Sequence, residues 1–368
     1  MLTDHAIFTF KAAAESLALS PRCISARAEL KVRHKQGWTS ATEILPIEVL
    51  PTASWPERIK ALIDDAPDNI HIFGSPFEKS HINFALKYAL SKKRICFLLS
   101  EPYSPVATGY FNDELPARDW LKSQLRPLLY RVRGLKYANR IHGVFAISPL
   151  AVRQFKKFGM KSNQIYPFGY FVPCIELPNK KNNQPIERSL KAAFVGSLIK
   201  RKGLSTAIEA FRHLDSSVAT LDIFGPGDQT AFGQVPDNVI FRGRIPFGET
   251  QKVLREFDLL VVPSLHDGWA VVVNEAIMAG IPVIASCETG ASSMIDQWRC
   301  GVTFQAGDSN ALQKIISDLS ANPTSLARAK AQTEVLAPLL DPEVAGNFMA
   351  DCILANINCR AAPSCPWY

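Results

Sequence analysis

Two acidic residues eight positions apart, Asp267 and Glu275, stand in the stretch Pro263-Ser-Leu-His-Asp-Gly-Trp-Ala-Val-Val-Val-Asn-Glu-Ala-Ile-Met-Ala-Gly-Ile-Pro-Val-Ile-Ala-Ser286. Each carboxylate oxygen accepts hydrogen bonds, so such a pair suits the vicinal hydroxyls of a ribose or a hexose. A second group with chemistry to offer is Arg201-Lys202, directly before Gly203 and a helix expected from there. Cations are misplaced at a helix N-terminus, which is already partly positive, unless an anion joins them. That mismatch points to a bound phosphate or diphosphate; a solvated Lys-Arg-Lys turn is the other reading. Glu101, before Pro102, is biased away from helical backbone and can point off the end of a strand; Ser100 and Glu101 capping the next turn is the bland alternative. No G-x-x-x-x-G-K-[ST] loop occurs, and Gly225-Pro-Gly227 alone is a weak signal.

The elements around these residues read as α/β. Leu259–Val262 is an apolar strand, the turn with Gly268 follows, then an apolar helix ended by Gly280 and Pro282, then a buried strand from Pro282 to Ala285. This βαβ unit puts Asp267 at the carboxyl end of a parallel strand, the edge where open α/β sheets bind ligands. Upstream, strands are expected at 5–10, 43–50, 69–73, 94–98 and 144–147, with helices near 56–65, 79–91, 115–139 and 149–158. Gly74-Ser75-Pro76 and Ser100-Glu101-Pro102 should then share one edge of the first sheet. Residues 166–189, rich in Pro, Asn and Lys, form the best boundary; a second series of strands begins at Lys191, Ala219 and Asn238.

At 368 residues, two domains are expected. Eight cysteines without a C-x-x-C pair favour reduced thiols and a cytoplasmic setting over a disulfide framework or a zinc site. No run approaches the ~20 apolar residues of a membrane span, so membrane contact would be peripheral. Arg118 to Arg140 holds seven basic residues against one acid, Asp119, interleaved with leucines at helical spacing. Such a helix either lies on an anionic bilayer or packs its apolar stripe on the sheet. Nucleic-acid binding is disfavoured because the basic residues gather on this one helix.

The second half resembles the donor domain of the retaining family 4 glycosyltransferases of GT-B fold. The resemblance rests on Asp267 and Glu275 in the positions of an E-x7-E element followed by Ala276, Gly280, Pro282, Val283 and Ile284, and on Val195 to Gly203, Leu221 to Gly227 and Val239 to Arg244. The form Asp-Gly-Trp-Ala-Val-Val-Val-Asn-Glu looks like a bacterial surface-polysaccharide subset. It implies two Rossmann-like domains facing a central cleft: an acceptor domain over 1–170, a nucleotide-sugar domain over 171–340, and a helix and tail over 341–368 that can pack back on the first. It also implies a UDP- or GDP-sugar donor, a saccharide or lipid-linked acceptor, and a place at the inner face of the plasma membrane. Glu275 would bind the ribose and Asp267 the transferred sugar, with the amides of Gly268, Trp269 and Ala270. Lys202 and Arg201 would neutralise the diphosphate, and Gly196, Gly225 and the backbone at Arg244 would approach the donor. No cofactor or metal is implied, and the chain has no D-x-D triplet.

The chain departs from that pattern in three places. Ser197 stands where many relatives have arginine, Ser100 replaces a histidine before Glu101-Pro102, and no glycine-rich turn follows the first expected strand. A catalytic histidine is therefore not carried over; His71, His81 and His142 are packed or surface residues on the simplest reading. Two other functions stay open: another GT-B enzyme such as an epimerase, or a catalytically impaired member serving as a binding or scaffold subunit.

Overall fold

The computed structural model describes residues 4–25, 45–75, 77, 79–103, 117–175, 189–246 and 248–368. The chain forms two compact units, one gathering residues up to 105, 117–171 and 342–366, the other 172–341 with 367–368. No helix among the described residues is long and apolar enough to cross a membrane.

The first unit opens with a helix, α1 (Asp4–Ser16), where the sequence suggests a strand over 5–10. The alternation His-Ala-Ile-Phe-Thr-Phe is strand-like, but Lys-Ala-Ala-Ala-Glu after it is strongly helix-forming. A distant partner decides the outcome: α1 packs on the last helix, Pro342–Ile357, where Gly346 lies so close that a Cβ there would stand 2.5 Å from the Ala12 methyl. Strands β1 (Cys23–Ser25) and β2 (Ile47–Val49) pair in parallel. Helix α2 (Trp55–Asp64) leads into a parallel sheet in the order β3-β4-β5-β6, made of β3 (Ile70–Gly74), β4 (Ile95–Ser100), β5 (Gly143–Ile147) and β6 (Ile165–Phe168). Helices α3 (Ser80–Ser91), α4 (Ala117–Tyr137) and α5 (Ser148–Phe158) connect them. β6 takes the first residues assigned above to the linker; Pro167 is tolerated because β6 is the sheet's edge.

The second unit holds one six-stranded parallel sheet in the order β12-β11-β10-β7-β8-β9. Along the chain these are β7 (Leu190–Val195), α6 (Leu204–Arg212), β8 (Ala219–Phe224), β9 (Val239–Gly243), α7 (Thr250–Leu254), β10 (Leu259–Val262), α8 (Val271–Met278), β11 (Val283–Ser286), α9 (Ser292–Trp298), β12 (Gly301–Phe304), α10 (Ser309–Ala321) and α11 (Pro323–Leu336). The closing helix of the chain, α12 (Pro342–Ile357), belongs to the first unit, where Asn356 Nδ2 donates to the His142 carbonyl at 2.9 Å. β10 is a continuous apolar run buried on both faces, as a central parallel strand must be, and its neighbour β7 is apolar apart from the exposed Lys191 near its start. All eight cysteines are free thiols.

Candidate functional site

Strand order in the second sheet reverses between β7 and β10, with β8 and β9 built outward on one side and β11 and β12 on the other. Helices after neighbouring strands then fall on opposite faces and leave a crevice at the carboxyl edge, the preferred ligand site of such sheets. The loop after β7 carries Arg201 and Lys202, and the loop after β10 carries Asp267. Sixty-five residues apart in sequence, Lys202 Nζ and Asp267 Oδ2 meet at 2.5 Å, and Arg201 Nη1 lies 3.8 Å from Oδ1. Arg201 Nη1 also donates to the His266 carbonyl at 2.8 Å.

This pairing changes one step of the sequence argument. The cations beside α6 already have an anion, and it is Asp267 itself. A 3-10 turn over Lys200–Lys202 and Gly203 in left-handed backbone separate them from the helix proper. Burial alone would raise the Asp267 carboxyl, but Lys202 and then Arg201 outweigh it and hold the group below its ordinary range. Within this trio one guanidinium and one ammonium face a single carboxylate, while Glu288 also acts on His266 from alongside. Burial holds His266, next to Asp267, below its ordinary value although the carboxylate favours its charged form.

Glycine permits the loops to meet. Gly203 has φ +66°, and a Cβ on it would stand 1.9 Å from the Pro263 carbonyl oxygen; the Leu265 N–H donates to the Arg201 carbonyl alongside. Gly290 does the same for the loop after β11, where a Cβ would stand 2.1 Å from the Gly268 oxygen. The two loops are zipped by Asp267 N–H to Glu288 O, Gly290 N–H to Asp267 O and Ala291 N–H to Trp269 O, each 3.0 Å. Beneath them Ser286 Oγ donates to the Ser264 carbonyl and lies 3.2 Å from Thr289 Oγ1.

The helix N-terminus of the motif is built differently from a capped one. Asp267 does not cap α8; the N-cap is Ala270, in left-handed backbone at φ 72° without a side-chain bond. A non-glycine residue there is strained, and strain of this kind collects at ligand sites. The first-turn N–H groups of Val271 and Val272 have no intrahelical acceptor, which leaves partial positive charge facing the loop. Trp269 contributes only backbone to this surface: its ring is 1 % exposed, and Nε1 donates to Asn274 Oδ1 at 3.0 Å. Asn274 thus anchors the turn from within the helix.

Glu275 lies further along α8, partly buried, facing α7. Burial pushes its carboxyl up to about 7, and the Thr250 hydroxyl beside it favours the charged form without offsetting that rise. A carboxyl so placed has no cationic partner among the described residues and gains from hydroxyl donors brought by a ligand. Gly196 and Gly225 end β7 and β8 side by side, and the Lys202 stem passes over Gly196 at 3.8 Å from where its Cβ would be. Arg244 follows β9 and is exposed. Thr250, His266, Asn274 and Ser286 carry no spacing signal as single polar residues, so the sequence alone does not single them out.

Glu101 belongs to the first unit, at the end of β4. Ser75 and Ser100, at the ends of β3 and β4, bring their hydroxyls to 3.4 Å, so these turns share one edge; Pro76 lies outside the described residues. The three histidines are taken up by packing. His81 stacks edge-on against Trp55, His71 lies against Phe73, and His142 Nδ1 accepts the Cys96 N–H at 3.2 Å.

Residues 177–335 match the family described as Glycosyl transferases group 1. The amylovoran biosynthesis glycosyltransferase AmsK of Erwinia amylovora is 32 % identical over 177 residues, 42 % of this chain and 44 % of that protein. The lipopolysaccharide glucosyltransferase WaaG of Escherichia coli is 27 % identical over 136 residues, 35 % of this chain and 36 % of its own. These matches thus span less than half the length of either relative. In three dimensions the likeness runs through the chain: Anabaena Alr3699/HepE in complex with UDP superposes with TM-score 0.71 at 14 % identity, covering 96 % of each chain. A WaaG structure gives 0.55 at 17 % identity over 95 % of each. At these identities the likeness shows the fold, α/β with parallel sheets, of the GT-B class.

Proposed function

We propose that this chain is a glycosyltransferase of polysaccharide or glycan biosynthesis, moving a sugar with retention from a nucleoside diphosphate donor, UDP- or GDP-linked, to a saccharide or lipid-linked acceptor. The observation that carries the reading is the Arg201–Lys202–Asp267 cluster at the strand-order reversal, with Glu275 on the helix that follows. Glu275 accepts the ribose hydroxyls. Lys202 and Arg201, with the N-terminus of α8, take up the negative charge that grows on the diphosphate as the glycosidic bond breaks, so departure needs no metal. Asp267 keeps Lys202 in place in the free protein and holds the transferred sugar in the complex. The relatives named for polysaccharide and lipopolysaccharide synthesis, and the UDP and UDP-glucose complexes of the Anabaena neighbour, support this reading and favour UDP.

The acceptor side includes Glu101 and a membrane. The outward face of α4 carries Leu121, Leu125, Leu128, Val132 and Leu135, all exposed, Leu135 by 86 %. At 100° per residue these fall in a stripe roughly 80° wide. Tyr130, Gly134 and Tyr137 lie on the opposite side, and a Cβ at Gly134 would stand 1.6 Å from the Phe158 oxygen. That contact turns the leucines away from the sheet, against the packed alternative, and supports peripheral contact at the inner face of the plasma membrane.

Titration calorimetry with UDP and GDP, with Glu275→Ala as the comparison, tests the donor site. Failure of the wild type to bind either nucleotide would sink the assignment. Mass spectrometry of products from UDP- and GDP-sugars with lipid-linked oligosaccharides then identifies the transfer.

A further inference from the structure

A cavity of about 370 Å³ opens between α3 and α4 in the first unit, which holds none of the residues assigned above to the donor. Lys79, Ser80, Asn83 and Lys87 line it from α3 and its entry, and Arg133 and Lys136 from α4. No carboxylate is among the lining residues, and among the described residues none of these four cations has an ion-pair partner. Helix α3 begins without a side-chain cap and without an acidic residue in its first turn. Its N-terminus therefore adds positive character beside Lys79, and among the described residues no internal anion plays the part that Asp267 plays for Lys202.

The cavity is built, not accidental to loose surface chains. The Arg133 guanidinium sits 5.5 Å from the Phe77 ring centroid, and Nη1 donates to the Phe77 carbonyl at 3.4 Å. Phe77 is itself wedged among Tyr130 and Phe158, with ring centroids 5.6 and 5.4 Å away. An aromatic floor thus holds one cation toward the opening. Val132 lines the cavity and also belongs to the exposed leucine stripe, so the polar cavity and the apolar face are continuous. That juxtaposition matches an amphiphile with an anionic head and an apolar body.

We propose that the α3–α4 cavity binds the phosphate headgroup of an anionic phospholipid in the bilayer on which α4 lies. The assignment rests on the membrane contact proposed above and names the lipid class that contact selects. Phosphate oxygens accept from Lys79, Lys87 and Lys136, with Arg133 and Asn83 as further donors, while the leucine stripe enters the acyl boundary.

The test is sedimentation of the full chain with phosphatidylcholine vesicles, with and without phosphatidylglycerol. Lys79→Gln/Lys87→Gln/Lys136→Gln removes three cavity charges; Arg153→Gln/Lys156→Gln/Lys157→Gln removes three exposed charges from α5. At about fivefold per cation near an anionic surface, the cavity variant should bind phosphatidylglycerol vesicles ~100-fold more weakly. The α5 variant should stay within a few-fold of wild type, and binding to neutral vesicles should be the same for all three. Equal losses in the two triple variants overturn the proposal, because net charge alone would then account for them. Micromolar binding of inorganic phosphate to the lipid-free wild type, lost in the cavity variant, assigns the cavity to a soluble anion and overturns the lipid source. Leu128→Asn/Leu135→Asn separates the two claims: if it abolishes sedimentation while the cavity variant behaves as wild type, membrane contact stands and the headgroup site is wrong. If wild type itself fails to sediment with any vesicle, both fall.

Discussion

Replacing Glu275 by glutamine should stabilise the free protein and cripple nucleotide binding at the same time. In the unfolded chain the carboxyl titrates near its ordinary 4.5, whereas burial in the folded chain raises it to about 7. Between those values the folded state holds a proton that the unfolded state has lost, so stability falls as pH rises from 4.5 to about 7 and stays low above it. At 1.36 kcal/mol for each pH unit, the gap of about 2.5 pH units amounts to at most about 3–4 kcal/mol by pH 8. Glutamine has the same shape and no charge, so it escapes that penalty. At ~2–4 °C per kcal/mol for a domain of this size, the unfolding midpoint should rise by several degrees at pH 8 and hardly at all at pH 5. Glutamine also offers one acceptor where the carboxylate offers two, so UDP affinity should fall by ~10-fold or more. Scanning fluorimetry at the two pH values, beside calorimetry with UDP, reads both effects. A midpoint that drops at pH 8, or rises equally at pH 5, would refute the claim that Glu275 is an unpaired carboxyl held for a ligand.

Further outcomes follow from the same geometry. Because only the carboxylate accepts from two hydroxyls, wild-type affinity for UDP should increase as pH is raised from 6 to 8, while Glu275→Gln shows a flat profile by calorimetry. Lys202→Met should weaken nucleotide binding and cost about 1–3 kcal/mol of stability at pH 7, read by urea titration, since it strips Asp267 of its nearest cation. The folded-state Asp267 value is lowered from 3.8, so the pair's contribution is present above that value and fades as pH falls below it; the cost of Lys202→Met should therefore shrink in acid. Gly203→Ala combines a left-handed backbone with a Cβ 1.9 Å from the Pro263 oxygen and should lose about 3 kcal/mol or more, or fail to fold, measured by thermal circular dichroism.

Much of the architecture is legible in the sequence, because a parallel α/β sheet writes itself into local pattern. Apolar runs such as Leu259–Val262 are strands too hydrophobic to lie anywhere but a sheet centre, and Gly280 with Pro282 ends a helix by backbone chemistry alone. The misreading of residues 5–10 marks the limit. Six residues with strand-like alternation become helix because α12, more than three hundred residues later, offers a partner for their apolar side.

What the residues determined by themselves is the chemical inventory: two carboxylates eight apart, a cation pair before a helix, and a leucine-rich basic helix. What only the tertiary structure decided is which of them meet. Lys202 finds Asp267 because β10 adds beside β7 and not beyond β9, a choice of strand order that no local spacing encodes. Glu275 is raised to about 7 by its burial in the folded chain, and the leucines of α4 face outward because Gly134 lets that helix close on Phe158. Pattern along a chain is local and set by backbone and solvent, whereas charge pairing and exposure belong to surfaces brought together from distant segments.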